Sequence, residues 1–216
     1  MPVKIGADEA GKGDYFGYLV VAAVAADEAG EAKLRALRVR DSKLVSDNEV
    51  RRLATLVKKV CRHEIVKISP EKYNALYSKF KNMNKILSWA HARAIENLLE
   101  KSEAQVIIVD KFADESVLKK QLFEKSRKAK VIQTVRGERD IVVAAASIIA
   151  RAEFLATLRS LSLQVGYKLP KGAAHVDEAL KFLTEKYGPD VLEGIAKLHF
   201  RTTKRLSAGK NGHEKK

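Results

Sequence analysis

The strand at the start of this chain limits what the rest can be. Ile5-Gly6-Ala7 is apolar and runs straight into two adjacent carboxylates, Asp8 and Glu9, followed by Ala10-Gly11-Lys12-Gly13-Asp14-Tyr15-Phe16-Gly17. Neighbouring side chains on an extended strand face opposite ways, so Asp8 and Glu9 can meet at one point only where the strand ends or bends. Glycines at 11, 13 and 17 are expected to supply that bend and to let backbone N–H groups approach a ligand, with Lys12 between them as a cation. Acidic ligands for a hard metal thus stand beside a turn suited to phosphate.

A length of 216 residues suits one domain with a substantial core, and no internal repeat is visible. The single cysteine, Cys61, cannot close an internal disulfide and reads as a small buried apolar residue in a reducing compartment. No uninterrupted apolar run of about 18 residues and no signal-peptide pattern is present, so a cytoplasmic protein with no membrane contact is expected. A formal charge of +14, spread along the chain, points to a polyanionic partner. Aromatics make up only 6%, which disfavours stacking of many single-stranded bases.

Period and punctuation divide the chain. Residues 3 to 7 and 17 to 26 read as strands, the second apolar on both faces, and a short helical pattern covers 28 to 38. Ser46 with Glu49 makes a capping box for a helix over 47 to 61, and 64 to 68 alternates as a third strand closed by Pro70. A helical pattern from 71 to 102 is broken near Asn82-Met83-Asn84. Val106 to Val109 is a buried strand that delivers Asp110 at its end; a helix over 114 to 128 and a strand over 130 to 135 follow. Gly137-Glu138-Arg139-Asp140 opens an Ala-rich helix over 141 to 163. Helices from Val176 to about 187 and from 190 to 198 precede a polar tail, 207 to 216, expected to be disordered. The fold class is α/β: a five-stranded mixed sheet flanked by helices, with extra helices at the C-terminal end.

Asp8, Glu9, Asp110 and one of Glu138 or Asp140 all fall at strand ends or helix starts, where different segments can meet at one edge of a sheet. Gathered carboxylates repel one another unless cations sit among them. Oxygen ligands without Cys or His pairs select Mg²⁺ or Mn²⁺ over Zn²⁺, and two such ions, roughly 4 Å apart, suit phosphodiester hydrolysis.

The stretch Asp8 to Gly17 resembles the opening motif of the type 2 ribonucleases H, and Gly13-Asp14-Tyr15-Phe16-Gly17 resembles the ribonuclease HIII branch. Further similar segments are Asp41-Ser42-Lys43-Leu44, Tyr73-Asn74-Ala75-Leu76-Tyr77, Asn82 to Leu87 with His91, Val109-Asp110-Lys111-Phe112, Val143 to Arg151, Leu169-Pro170-Lys171-Gly172-Ala173 and Lys197-Leu198-His199-Phe200. Together they cover residues 3 to 205 in order.

The resemblance implies an RNase H-like fold, a catalytic domain over residues 1–206, and an enzyme that cuts the RNA strand of RNA/DNA hybrids to leave 5′-phosphate and 3′-hydroxyl ends; a monomer is expected. It implies two Mg²⁺ or Mn²⁺ ions bound with substrate, held by Asp8, Glu9 and Asp110. Gly11, Lys12 and Gly13 would face the 2′-hydroxyls and backbone of the RNA, Ser42 and Lys43 would hold a phosphate, and Lys171 would contact substrate. For the fourth carboxylate, relatives place an acid nine or ten residues before the serine of the Ala-Ala-Ser motif. Counting from Ser147 favours Glu138 and leaves Asp140 as the rival, the losing residue capping the long helix.

The chain also departs from the family. HIII members usually carry an N-terminal substrate-binding domain, whereas Asp8 lies near the start here, so hybrid binding is expected to rest on the basic catalytic body and to weaken steeply with salt. Tyr18 stands where proline is common and Lys111 where glutamine is common, and Ala174-His175 alters the segment after Gly172. The alternatives are HII-like incision at single ribonucleotides embedded in duplex DNA, and a non-catalytic hybrid-binding module. His91, His63 and His199 read as structural, and Trp89, Tyr73 and Tyr77 as core.

Overall fold

In the computed structural model the described residues are 2–110, 129–134 and 137–203, the side chain of Glu138 excepted. The helix expected over 114 to 128, Lys111, Phe112 and the tail from 207 lie outside them. The chain divides into two compact units: Met1–Ala10, Val20–Lys67 and Asn82–Leu155 form the first, and Gly11–Leu19, Ile68–Lys81 and Ala156–Lys216 the second.

The first unit holds a five-stranded sheet. Its strands are β1 (Lys4–Ala10), β2 (Leu19–Ala26), β3 (Arg62–Ile68), β4 (Val106–Asp110) and β5 (Lys130–Thr134), in the order β3-β2-β1-β4-β5. β1 is antiparallel to β2 and parallel to β4, and β4 is parallel to β5, so the sheet is mixed as expected. Every residue of β2 is buried, which is why this strand reads as a continuous apolar run rather than an alternation. β3, at one margin, instead carries Arg62, His63, Glu64 and Lys67.

Local chemistry sets the helix boundaries. Asp27 caps α1 (Glu28–Ala36), accepting from Gly30 N–H at 2.8 Å, and Ser46 caps α2 (Asp47–Val60), accepting from Glu49 N–H at 3.3 Å. α3 (Pro70–Phe80) ends at Lys81, whose φ of 50° is left-handed, and Asn82 then caps α4 (Met83–Leu99), so the expected break falls at Lys81-Asn82. Cys61, just past α2, is buried, and burial together with Asp27 pushes its thiol up to about 11.

α5 (Ile141–Val165) is the longest helix described. By length and composition it could cross a membrane, but 67% of its most apolar window is buried inside the protein, as befits a core helix. Its small residues matter at Gly6 of β1. A Cβ added there would lie 2.4 Å from Val143 N and 2.5 Å from Val142 C, so the helix backbone rests directly on the strand.

The second unit contains α3, the last part of α5, α6 (Asp177–Tyr187) and α7 (Val191–Ile195). α7 is shorter than the 190 to 198 expected: Ala196 is already extended and forms an isolated antiparallel bridge with Phe16. Tyr15 and Phe16 are fully buried and pack edge to face at 4.9 Å between centroids. Tyr73 is buried, in agreement with its reading as core, and packs with Tyr77 and His199, whereas Tyr77 and Trp89 are only half-buried.

Candidate active site

Parallel pairing brings the first acids together. The β1–β4 register ends at Ala7↔Val109, so Asp8 and Asp110 are the next residues on neighbouring strands. Asp8 is partly buried; burial and the nearby charges of Glu9 and Asp110 raise its carboxyl well above the usual range, against the opposing pull of Lys43. This is the electrostatic signature of a place that a cation would stabilise.

β1 does not bend at the acids themselves; the turn expected of the glycines comes at Gly11. β1 stays paired with β2 through Asp8↔Ala22, Glu9↔Val21 and Ala10↔Val20, and the turn begins only at Gly11, with φ 84°. The hydrogen bonds of β2 keep the strand extended past the acids. Asp8 Oδ1 accepts from the Glu9 backbone N–H at 2.8 Å, while Glu9 Oε2 accepts from His91 Nε2 of α4 at 3.0 Å. His91 is fully buried. Sequence reading took it as structural, although it stands among the segments that resemble the type 2 ribonucleases H.

Asp110 is held from the other side. Its Oδ1 accepts from the Gly137 N–H at 2.9 Å, and a Cβ on Gly137 would lie 2.9 Å from Asp110 Cα. Glycine at 137 thus lets the 3₁₀ turn Gly137–Arg139 sit against the end of β4, which brings the backbone of Glu138 close to Asp110. Asp140 is engaged elsewhere: Oδ1 accepts from Val142 N–H at 2.9 Å at the start of α5, and Oδ2 accepts from Lys4 Nζ at 2.9 Å. Lys4 also pairs with Glu31 at 2.8 Å; burial works against its ammonium, but these two acids outweigh it and raise its pKa. Lys4 and Asp8 are four residues apart on one strand, about 13 Å at the usual rise.

Ser42 begins a 3₁₀ turn, Ser42–Leu44, and is anchored to α5: Ser147 Oγ donates to Ser42 Oγ at 2.6 Å and accepts from Ser42 N–H at 3.3 Å. Lys43, exposed on the same turn, is the cation that acts on Asp8.

The donor set of Asp8, Glu9 and Asp110 is oxygen only, which fits Mg²⁺ or Mn²⁺. Among the described residues, no three His, Cys, Asp or Glu side chains are already gathered as a ligating group. Glu9 Oε2 and Asp110 Oδ1 each accept from a protein donor, which fixes how the two carboxylates are turned.

The remaining candidates belong to the second unit. Gly11 and Gly17 have φ of 84° and 90°, Gly13 has open space where a Cβ would stand, and Lys12 is partly buried. Asp14 Oδ1 accepts from Gly172 N–H at 2.6 Å and Tyr15 N–H donates to Gly172 O at 2.9 Å, so the segment carrying exposed Lys171 is tied to the segment that follows Gly13. His175 is exposed. Sequence reading gave Lys197 no role beyond its place in a family-like segment; it is fully buried and donates from Nζ to Gly17 O at 2.6 Å.

Known proteins are similar to this chain in sequence and in fold. Ribonuclease HIII of Protochlamydia amoebophila is 45% identical over 199 residues, 92% of this chain and 66% of that protein, and the enzyme of the same name from Chlamydia abortus is 44% identical over 203 residues. The chain spans about two thirds of the length of these relatives. The crystal structure of Bst-RNase HIII in complex with Mn²⁺ superposes with a TM-score of 0.89 at 36% identity, covering 96% of this chain and 70% of that one. Aquifex aeolicus RNase H3 gives 0.75 at 35% identity, covering 90% and 71%. The family model described as ribonuclease HII matches residues 5–203, from the strand that carries the paired acids to the last described helical turn. With that match running through every element that positions Asp8, Glu9 and Asp110, the chain belongs to the ribonuclease HII family.

Proposed function

We propose that this protein is an endonuclease that hydrolyses the RNA strand of RNA/DNA hybrids, leaving 5′-phosphate and 3′-hydroxyl ends, and that it requires Mg²⁺ or Mn²⁺. The observation that carries the reading is the placing of Asp8 and Asp110 at the ends of neighbouring parallel strands with Glu9 beside them. Family membership, and the Mn²⁺ in the name of the Bst-RNase HIII complex, support it.

Asp8, Glu9 and Asp110 would hold the ions, with Glu138 as the fourth acid. Bound there, divalent ions supply an activated water and neutralise charge on the phosphodiester. The protein's own groups do the rest. His91 orients Glu9, and the Gly137 N–H orients Asp110. Lys43, beside the Ser147-anchored Ser42, holds a substrate phosphate. Gly11, Lys12 and Gly13 present close backbone and a cation to the 2′-hydroxyl side of the strand, with Lys171 as a further phosphate contact; the 2′-hydroxyl is what separates RNA from DNA. The +14 charge supplies general attraction to the duplex. A monomer suffices for these roles.

Cleavage of a uniform RNA/DNA hybrid, compared with duplex DNA holding one embedded ribonucleotide, tests the reading in Mg²⁺, Mn²⁺ and EDTA. The hybrid is expected to be cut and EDTA to stop it. Cleavage of the single-ribonucleotide duplex alone would favour the HII-like alternative, and activity surviving EDTA would defeat the metal requirement.

The fourth acid is separately testable. Glu138→Gln should lower the rate by roughly a hundredfold, the order seen when one preorganised electrostatic group is lost. Asp140→Asn keeps a helix-capping oxygen and loses only a partly exposed ion pair worth about 1 kcal/mol, so its rate should stay near wild type. Single-turnover rates at saturating Mn²⁺ distinguish the two, and the reverse ranking, or no loss in either variant, would overturn the assignment.

A further inference from the structure

Each residue from Asp14 to Gly17 is tied to the later segments of the second unit. Gly17 N–H donates to Ile195 O at 2.9 Å, Lys197 N–H donates to Tyr15 O at 2.8 Å, Phe16 bridges Ala196, and the Tyr15 hydroxyl meets Thr203 Oγ1 at 3.0 Å. Lys197 adds the Nζ bond to Gly17 O, and Asp14 the carboxylate bond to Gly172 N–H. Gly13, one residue earlier, has open space around it. The turn that would meet the RNA therefore depends on this footing for its position.

A fully buried lysine is a costly way to fill space, since burial disfavours its charge, and an apolar side chain of similar volume would pack there without that cost. What the amine adds is an N–H donor for the carbonyl of Gly17, a residue whose φ of 90° closes the turn. Burial pushes Lys197 down to about 7 while Asp14 pulls it up; charged or neutral, the amine still donates.

We propose that buried Lys197 and Asp14 are positioning residues for the Gly11-Lys12-Gly13 turn, Lys197 by holding Gly17 and Asp14 by tying the Lys171-Gly172 loop to the same footing. Through them the C-terminal segment sets how tightly the RNA strand is held, without contact with the reacting atoms. The inference rests on the hybrid-cleavage reading above.

Lys197→Met removes the donor and keeps the volume. Steady-state cleavage of an RNA/DNA hybrid should show KM raised roughly tenfold, given that misplacing a positioning group by about 1 Å can cost up to about a hundredfold. The half-saturating Mn²⁺ concentration should move by less than about twofold, because the acids of the first unit are untouched. A merely structural role would instead lower the melting temperature and the fraction of active enzyme at unchanged KM. Lys197→Gln, whose amide can donate to the carbonyl, should recover part of the lost affinity. Should the Met variant fail to fold, Asp14→Ala carries the test, with KM expected to rise several-fold. A folded Met variant, or failing that the Asp14 variant, with KM unchanged overturns the inference, as do equal rises for Met and Gln. A wild-type protein that leaves the hybrid uncut defeats the hybrid-cleavage reading instead.

Discussion

Asp110→Asn is expected to reduce hybrid cleavage by at least about a thousandfold, roughly 4 kcal/mol of barrier, while leaving the protein folded. The substitution is nearly isosteric, and the amide oxygen can still accept from Gly137 N–H, so the contact that seats the 3₁₀ turn on β4 survives. The carboxylate that would share an ion with Asp8 does not. Removing its charge also relieves the repulsion that burdens Asp8, so the melting temperature should hold or rise slightly. Single-turnover cleavage at saturating Mn²⁺ and a thermal melt check the two halves. A variant that keeps a tenth of the activity would mean that Asp110 is not a ligand, and a metal-independent activity unchanged by the substitution would revive the binding-module reading.

Gly6→Ala should be the most damaging single methyl in the first unit. The added Cβ would meet Val143 N, Val142 C and Val142 O at 2.4, 2.5 and 2.8 Å, all of them backbone atoms that no rotamer change can move. Either α5 lifts from β1 or the strand shifts, and overpacking of this kind costs about 3 kcal/mol or more. For a domain of this size that corresponds to a fall in melting temperature of roughly 10 °C. Activity should fall further than stability does, because α5 also carries Ser147, which anchors Ser42, and starts just after the turn that bears Glu138. Circular-dichroism melts alongside hybrid cleavage would show this, and a melting temperature within about 3 °C of wild type would contradict the close contact.

Most of the architecture could be read before any coordinates. β2 announces itself as an uninterrupted apolar run and α5 as an Ala-rich helical pattern, while Ser46 marks a helix start, Pro70 a strand end and Asn82 a helix break, all through short-range chemistry that the structure reproduces. The acids were legible because an Asp-Glu pair on an apolar strand is costly without partners. What could not be read depends on residues distant in sequence. The continuation of β1 through Glu9 is imposed by pairing with β2, not by any local signal. His91 meets Glu9 across 82 positions, and Lys197 reaches Gly17 across 180. Nothing around Gly6 in the sequence signals that the backbone of α5 lies on it. Counting from Ser147 favoured Glu138, but nothing local could show that Asp140 is engaged, because Lys4, which pairs with it, lies at the far end of the chain.

The strand at the margin of the sheet has a consequence for how these molecules behave in a crowd. An edge strand offers unpaired N–H and C=O groups as a template on which another chain can add, the first step of sheet-to-sheet aggregation. β3 meets an incoming strand with charge: Glu64 pairs with Lys101 at 2.5 Å and Lys67 with Glu153 at 3.2 Å, while Arg62 reaches the carbonyl of Lys101. A second copy docking in register would have to strip these pairs and set like charges side by side. β3 thereby guards its own edge of the sheet against self-templating, and the polar alternation that made it the least conspicuous strand in the sequence is the source of that protection.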